Sequence, residues 1–516
     1  MPDPTVSRRR LLVALSAIGL VVLGAELAAR LVVDEEFVSE RLAGRLGAGP
    51  ARVSLDDVSF SLLARRIEAS GIAIGRADVG TVYAERVVAS GLPLLALLTG
   101  EATPEVGRLE VSRPFVFLHP APVPEGGASG RAEVDARPAD GAAYRAGGVG
   151  EAAEPALRIG ELRIDAGTLL AWRPGAASGP GRVLVRDFAV EGRQIALGRD
   201  GRPTGPQDGL SWRTGAFTRV RADGLTRVAW DSMRASVRDS TFRIFGGRYE
   251  PTVPDTTFFR QLDDREDRIR VSSPRISARG FDFSLRPEGG FVARTIVLDS
   301  TDVDVFSNRR VPDTDATASR PWMPHTLVGS FDGRLRVDTV ELTGRVAYGE
   351  LPVREVVEPG RFVFEDFAGR ITGISNQPEA PPMAVEATMD VFGAPSTIRL
   401  EIPLDVDRML MRMDGRVGAL DLRRLNTLTV PLQGVEIQDG RLAGIRFDIT
   451  VDGPTAGGTV WVAYRDLDVQ IVDSGTGDGG LFDDIKSFVA NTFVLRGDNM
   501  PGDGDGEEAV PGTVEY

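Results

Sequence analysis

The glycine cluster at 475–480 is the segment whose residue types and spacing come nearest to a nucleotide site. It fits G-x-G-x-x-G and follows a strand-like run that ends at Val472. In a dinucleotide-binding fold, such glycines bring the backbone close to a pyrophosphate at a helix N-terminus. Here Asp478 and Asp483 would repel that anion, and no further strand-helix-strand unit follows. We interpret the cluster as a flexible turn before a short helix at 481–490.

Acidic residues offer the other candidate chemistry, as acid-base pairs or as calcium ligands. Adjacent residues on a strand point to opposite faces, so neighbouring carboxylates do not form a catalytic dyad by themselves. Asp503, Asp505 and Glu507 lack the spacing and the following helix of an EF-hand. The adjacent acidic pairs, which we interpret as solvated loops, are Asp56-Asp57, Asp263-Asp264 and Asp483-Asp484.

The composition excludes several classes of site. The chain has 516 residues, no cysteine and only two histidines, His119 and His325, each beside a proline. A disulfide framework, a thiolate nucleophile and a multi-histidine zinc site are therefore excluded. The net charge of −14 argues against general nucleic-acid binding. We predict no catalytic residues, no metal site and no cofactor, and therefore a protein that is not an enzyme.

The N-terminus carries an apolar run from Leu11 to Val33, preceded by three arginines and followed by acidic residues. At 1.5 Å per residue it would span about 34 Å, enough for the hydrocarbon core of a bilayer. The positive-inside rule then places residues 1–10 in the cytoplasm and the remainder across the membrane. A cleaved export signal and a buried soluble helix are the alternatives. The predicted element is a transmembrane anchor at 11–33.

The body of the chain alternates apolar and polar residues with period two, which is typical of β-strands. A weak repeat, apolar-x-apolar-x-x-G/P/T-x-apolar, predicts a strand, then a bulge or tight turn, then another strand. Its four matches begin at Leu109, Leu162, Ile296 and Val435. A short amphipathic helix is predicted around 37–46. The fold class is therefore mainly β, with few short helices.

Short motifs follow one another in a distinctive order at both ends of the chain. The N-terminal motifs lie at 51–60, 69–72, 89–101 and 108–118, and the C-terminal motifs lie at 425–426, 435–440, 447–449, 457–460, 464–469 and 490–494. Their order, more than any single motif, resembles that of the AsmA-like family of bacterial envelope proteins. The resemblance implies an inner-membrane anchor, an elongated, twisted antiparallel sheet curled into an open groove, and carriage of phospholipid through the periplasm toward the outer membrane.

On this basis we divide the chain into consecutive regions. The boundaries are 1–10 for the cytoplasmic N-terminus, 11–33 for the anchor, 34–119 for the AsmA-like N-terminal region, 120–156 for a Pro/Gly/Ala-rich linker or loop, 157–472 for the β-groove, 473–495 for a turn, short helix and strand, and 496–516 for an acidic disordered tail. The expected partners are phospholipid acyl chains, the inner membrane and other envelope proteins, with no nucleic acid.

Twelve apolar residues in alternating runs are the candidates for the groove lining, because one face of each strand would contact acyl chains. They are Phe115, Phe117, Leu162, Ile164, Ile296, Leu298, Val340, Leu342, Phe362, Phe364, Val460 and Val462. The alternative is that these side chains form the ordinary core of two packed sheets. A second functional hypothesis is an envelope scaffold that binds outer-membrane proteins through exposed sheet edges.

Overall fold

The computed structural model describes a chain that is mainly β. Strands dominate, and the helices are short. The predicted helices at 37–46 and 481–490 and the predicted anchor at 11–33 lie outside the described residues. The described residues are 51–54, 56–61, 64–76, 80–92, 105–118, 157–173, 181–197, 209–221, 224–262, 264–283, 290–312, 324–331, 333–353, 358–406, 408–453, 455–472, 498–500 and 511–515.

The chain divides into two compact units. Unit 1 comprises 1–222 and 236–238, and unit 2 comprises 223–235 and 239–516. The strands before the division are β1 (Ala51–Ser54), β2 (Asp57–Ser61), β3 (Arg66–Arg76), β4 (Gly80–Ser90), β5 (Glu105–Ser112), β6 (Phe115–Leu118), β7 (Leu157–Arg173), β8 (Gly181–Leu197), β9 (Ser211–Thr214) and β10 (Phe217–Val220).

Fourteen further strands follow among the described residues. They are β11 (Thr226–Trp230), β12 (Ser232–Ser236), β13 (Thr241–Pro251), β14 (Arg268–Arg279), β15 (Gly290–Asn308), β16 (Arg334–Leu351), β17 (Gly360–Ser375), β18 (Met383–Val391), β19 (Ala394–Ile402), β20 (Leu410–Val417), β21 (Leu420–Asp421), β22 (Val435–Asp452), β23 (Thr455–Ile471) and β24 (Pro511–Glu515).

Strand pairing follows chain order within each unit. In unit 1, β3 pairs with β1, β2 and β4. Strand β4 pairs on its other side with β5 and β6, these two pair with β7, and β7 pairs with β8. In unit 2, the order runs β13, β14, β15, β16, β17, β18, β19, β20, β22, β23 and β24. Each strand therefore pairs chiefly with its neighbours in sequence.

The expectation of a purely antiparallel sheet is wrong at two junctions. β7 runs parallel to β5 and β6, and β16 runs parallel to β15 over nearly its whole length. Parallel neighbours need a crossover of a dozen or more residues, whereas antiparallel neighbours need only a tight turn. The two crossovers are 119–156, which the sequence suggests only as a linker, and 309–333. The pairing within the units is mixed.

The bulges predicted by the repeat frame are confirmed. The break between β5 and β6 falls at Arg113, which has a positive φ of 47°. Register shifts follow Ile164 in β7, Leu298 in β15 and Ile437 in β22. An extra residue in one strand bends that strand and increases its twist. The repeat frame therefore marks the positions at which the strands change direction.

The bulge in β15 requires a glycine on the neighbouring strand. Gly344 of β16 has a φ of +144°, and a Cβ there would overlap the carbonyl oxygen of Thr301. Thr301 is fully buried, and its hydroxyl donates to the Ser273 hydroxyl of β14 at 2.9 Å. Three adjacent strands thus meet closely at one irregular point.

The described helices are short. They are α1 (Asp255–Arg260), α2 (Pro324–Gly329), α3 (Asn426–Gln433) and a 3-10 helix (Leu422–Leu425) that precedes α3. Helix α3 ends at Gly434, whose φ of +66° supplies the left-handed C-cap. Among the residues that the structure describes, no helix has the length and apolarity needed to cross a membrane.

Candidate functional site

The strands of unit 2 place two apolar rows side by side across ten strands. Residues paired directly across neighbouring strands share a face, and positions two apart on a strand share it as well. We call these two rows the apolar face. The first row is Phe242, Ala278, Ile296, Val340, Ile371, Val385, Leu400, Met413, Ile449 and Gly458; the second is Ile244, Ile276, Leu298, Leu342, Gly369, Ala387, Ile398, Gly415, Phe447 and Val460.

The row between them lies on the opposite face and is almost entirely polar. From β16 to β20 the charges of its residues alternate between negative and positive, and an aspartate on β22 follows the aspartate on β20. Its members are Arg243, Ser277, Val297, Glu341, Arg370, Glu386, Arg399, Asp414, Asp448 and Thr459. Arg399 lies 3.7 Å from Glu386, and these side chains are 70% and 68% exposed. The central part of the opposite face is therefore in water.

The large side chains of the apolar face remain half-buried. Ala278, Ala387 and Val460 are buried, but Leu298, Leu342 and Phe447 keep part of their surface accessible. Large apolar side chains are enclosed beside the short helices instead, as at Phe258 (2% exposed) and Ile402 (3% exposed). In a two-layer sandwich, the large core side chains would be fully enclosed.

Methionines extend the apolar face along β18 and β20. Met383 and Met389 continue the apolar alternation of β18, and Met411 continues that of β20. Between Met411 and Met413, Arg412 points to the other face and contacts Asp448 at 3.2 Å. The unbranched thioether side chain adapts its shape to irregular apolar contacts. Met383 and Met389 are 8% and 9% exposed, so of these three only Met411 leaves adaptable surface accessible.

Two glycines in the second row leave room for aromatic rings. A Cβ at Gly415 would meet the ring of Phe447 on β22, and one at Gly369 would meet the ring of Phe367. The rings therefore lie over the glycine backbone and do not stand upright from the sheet. This packing gives the middle of the apolar face a low, continuous surface.

Short helices pack at the two ends of these strands. Val328 of α2 belongs to a buried cluster with Met383, Ile402 and Leu404. At the other end, Leu432 of α3 lies over Gly360, where a Cβ would overlap it. Each helix covers apolar surface at the ends of the strands that would otherwise be exposed. The rows between the helices stay partly accessible.

A polar group interrupts the apolar surface beside α3. The Tyr348 hydroxyl donates to Oε2 of Glu350 at 2.8 Å, and Nε of Arg309 lies 3.3 Å from the same oxygen. Glu350 is 4% exposed. Burial, followed by the negative charge of Glu350, raises the pKa of Tyr348 above its ordinary value. The tyrosine therefore stays protonated well into alkaline solution.

The structure places the twelve sequence candidates in two sets. Ile296, Leu298, Val340, Leu342 and Val460 lie in the two rows of the apolar face. Phe362 and Phe364 lie on the same face near α3, because Phe364 pairs with Val391 of β18. Val462 also lies on this face, one row beyond Val460, where it pairs with Ile445. The other four, Phe115, Phe117, Leu162 and Ile164, belong to unit 1.

In unit 1, Leu162 and Ile164 continue apolar rows from β4 and β5. Leu162 pairs with Leu109 and Ile164 with Val111. Leu162 also packs against a buried cluster that contains Ile159 and other apolar residues. Phe117 is half-buried beside Leu170, whereas Phe115 is 42% exposed. The four residues do not form one uniform surface.

Most of the apolar face was missed by sequence reasoning. Ile371, Leu400, Met413 and Ile449 alternate with charged or polar residues as clearly as the predicted positions do. The alternation of apolar and polar residues is visible within each strand, but the sequence does not show the register that aligns one strand with the next. Among the described residues, no group of three or more acidic or histidine side chains is placed to hold a metal ion.

Comparisons with known proteins gave no match: no family model, no curated protein and no solved structure resembles the chain significantly.

Proposed function

We propose that the apolar face of unit 2 binds lipid acyl chains and that the protein carries phospholipid through the envelope without covalent chemistry. The observation that supports this proposal is the pair of apolar rows across ten strands, half-buried on one side and backed by a mainly charged row on the other. In this proposal the sheet forms an open groove whose apolar side takes the acyl chains and whose polar side faces water. The AsmA-like resemblance and the apolar segment 11–33 support placing the body in the periplasm, anchored in the inner membrane.

The energetics favour acyl chains as the ligand. Burying one methylene contributes about 0.8 kcal/mol, so about ten methylenes laid on one side of the face, each half-covered, contribute about 4 kcal/mol. Ten strands at about 4.8 Å give a face about 48 Å across. Headgroups remain in water at the open side. A gain of this size holds a lipid while still permitting its movement along the rows.

The test is photocrosslinking in intact cells with the full chain. A benzophenone amino acid replaces Ile398 on the apolar face or Arg399 on the opposite face, one residue away. We expect phospholipid adducts, identified by mass spectrometry, at 398 and not at 399. Equal adducts at both positions, or none at 398 while full-length protein is present, would overturn the proposal.

A further inference from the structure

One end of unit 1 exposes apolar side chains on both faces of the same three strands. Ile74 of β3 is 36% exposed and its partner Val82 of β4 is 39% exposed; both lie on one face. Tyr83 and its partner Phe115 of β6, each 42% exposed, lie on the other face. These four residues make up what we call the apolar tip. Ile269 of β14 is exposed to a similar degree, at 37%, but its partner Val305 is half-buried.

Charged residues border the apolar tip on both sides. The strand segments 72–75, 80–84 and 115–118 carry no charged residue, but Arg76 ends β3 and Asp78 follows in the connection to β4. On the other side, Glu85 pairs with Arg113 at 2.5 Å, and Arg86 pairs with Glu68 at 2.5 Å. Apolar residues with a tyrosine among them, next to charged residues that can stay at the level of the headgroups, match a membrane interface.

The chain enters the sheet beside this tip. Strand β1 is the first described element, and Val53 pairs with Ile74. The apolar run 11–33 is long enough to cross a bilayer, and 17 residues, 34–50, separate it from Ala51. The first strand after that run is thus paired with a residue of the tip itself. A bilayer that holds residues 11–33 lies within reach of the apolar tip.

Exposure on both faces distinguishes a bilayer from a protein partner. A folded partner packs against one face of a sheet and leaves the other in water, whereas acyl chains and headgroups surround an inserted tip from all sides. We propose that the apolar tip inserts into the surface of the membrane that holds the anchor. This inference rests on the membrane placement given above, but it does not depend on lipid binding by unit 2.

The absence of cysteine from the chain makes the test direct, because an introduced thiol is the sole labelling site. Full-length Ile74→Cys and Tyr83→Cys, one on each face, are labelled with an environment-sensitive fluorophore and reconstituted into phospholipid vesicles. Arg213→Cys is the control, since Arg213 is 66% exposed and lies on β9. Brominated-chain lipids and aqueous iodide are the two quenchers.

We expect brominated lipids to remove most of the emission from labels at 74 and 83, and iodide to leave it largely unchanged. The control at 213 should show the reverse. Labels at 74 and 83 that iodide quenches as strongly as the control would overturn the proposal, and so would protection of one face only. Failure of the chain to enter vesicles would overturn the membrane placement itself. None of these results depends on photocrosslinking at 398, so the two proposals fail separately.

Discussion

Replacement of Ile398 by asparagine is the most direct perturbation of the apolar face. Ile398 is half-buried in the second row, between Ala387 and Gly415 on its neighbouring strands. If a bound acyl chain covers about 40 Å² of its side chain, the contact contributes about 1 kcal/mol at ~25 cal/mol/Å². An amide left there without a partner adds about 1–3 kcal/mol of cost. Ile398→Asn should therefore weaken acyl-chain binding by about 2 kcal/mol or more, about 30-fold.

The assay is titration of the purified full chain with a fluorescent fatty acid, together with thermal unfolding of each variant. Arg399→Asn is the matched control, because Arg399 is 70% exposed and its contact with Glu386 is a surface ion pair. Such pairs contribute about 0–1 kcal/mol to stability. We expect Arg399→Asn to bind like the wild type. Equal weakening in both variants, or unchanged binding by folded Ile398→Asn, would refute a ligand on this face.

Three further predictions concern the framework of unit 2. Gly344→Ala should lower the free energy of unfolding by about 2 kcal/mol or more, since the new Cβ overlaps the Thr301 carbonyl and φ is +144°. Asn426→Ala should cost about 2 kcal/mol, because that side chain makes two hydrogen bonds of 2.8 and 2.9 Å to the backbone of β22. Urea unfolding measures both. Tyr348 should ionise at a higher pH than a free tyrosine does, and ultraviolet absorbance of the phenolate follows this in an alkaline titration.

Each of these has its own control. Gly329→Ala, with no atom within 4 Å of the added methyl, should leave the urea midpoint nearly unchanged; a loss equal to that of Gly344→Ala would contradict the steric argument. Asn426→Asp keeps the acceptor for the Ile437 N–H but sets a carboxylate oxygen against the Ile437 carbonyl, so it should lose at least as much as Asn426→Ala. The raised pKa of Tyr348 means that its stabilising effect is complete below about pH 10 and declines above it. Tyr348→Phe should remove the late phase, and its persistence would assign that phase elsewhere.

The strand content and the bulges could be predicted because both are local properties. Period-two alternation is written in each strand, and the residue types around Thr301 and Gly167 mark where a strand bends. Four of the predicted lining residues, Ile296, Leu298, Val340 and Leu342, meet across β15 and β16. They do so because the register between these strands is regular from Gly290 to Leu298 and carries matching alternation across them.

The parallel junctions could not be predicted in the same way. The sequence of β16 alternates as an antiparallel strand would, and a connection as long as 309–333 permits either direction. Exposure was equally hidden. Phe115 and Phe117 have the same alternating context, yet Phe115 is 42% exposed because of where β6 lies beside β4. Long-range pairing, and not residue type, sets these properties.

The chain-order pairing of unit 2 has an evolutionary consequence. Each strand from β17 to β20 contacts the strands next to it in sequence, so duplication or loss of one hairpin changes the length of the array without rearranging the others. One hairpin adds or removes about 9.6 Å of width, twice the ~4.8 Å strand spacing. A change in the number of hairpins would therefore change the width of the apolar face while each retained strand kept its own sequence pattern.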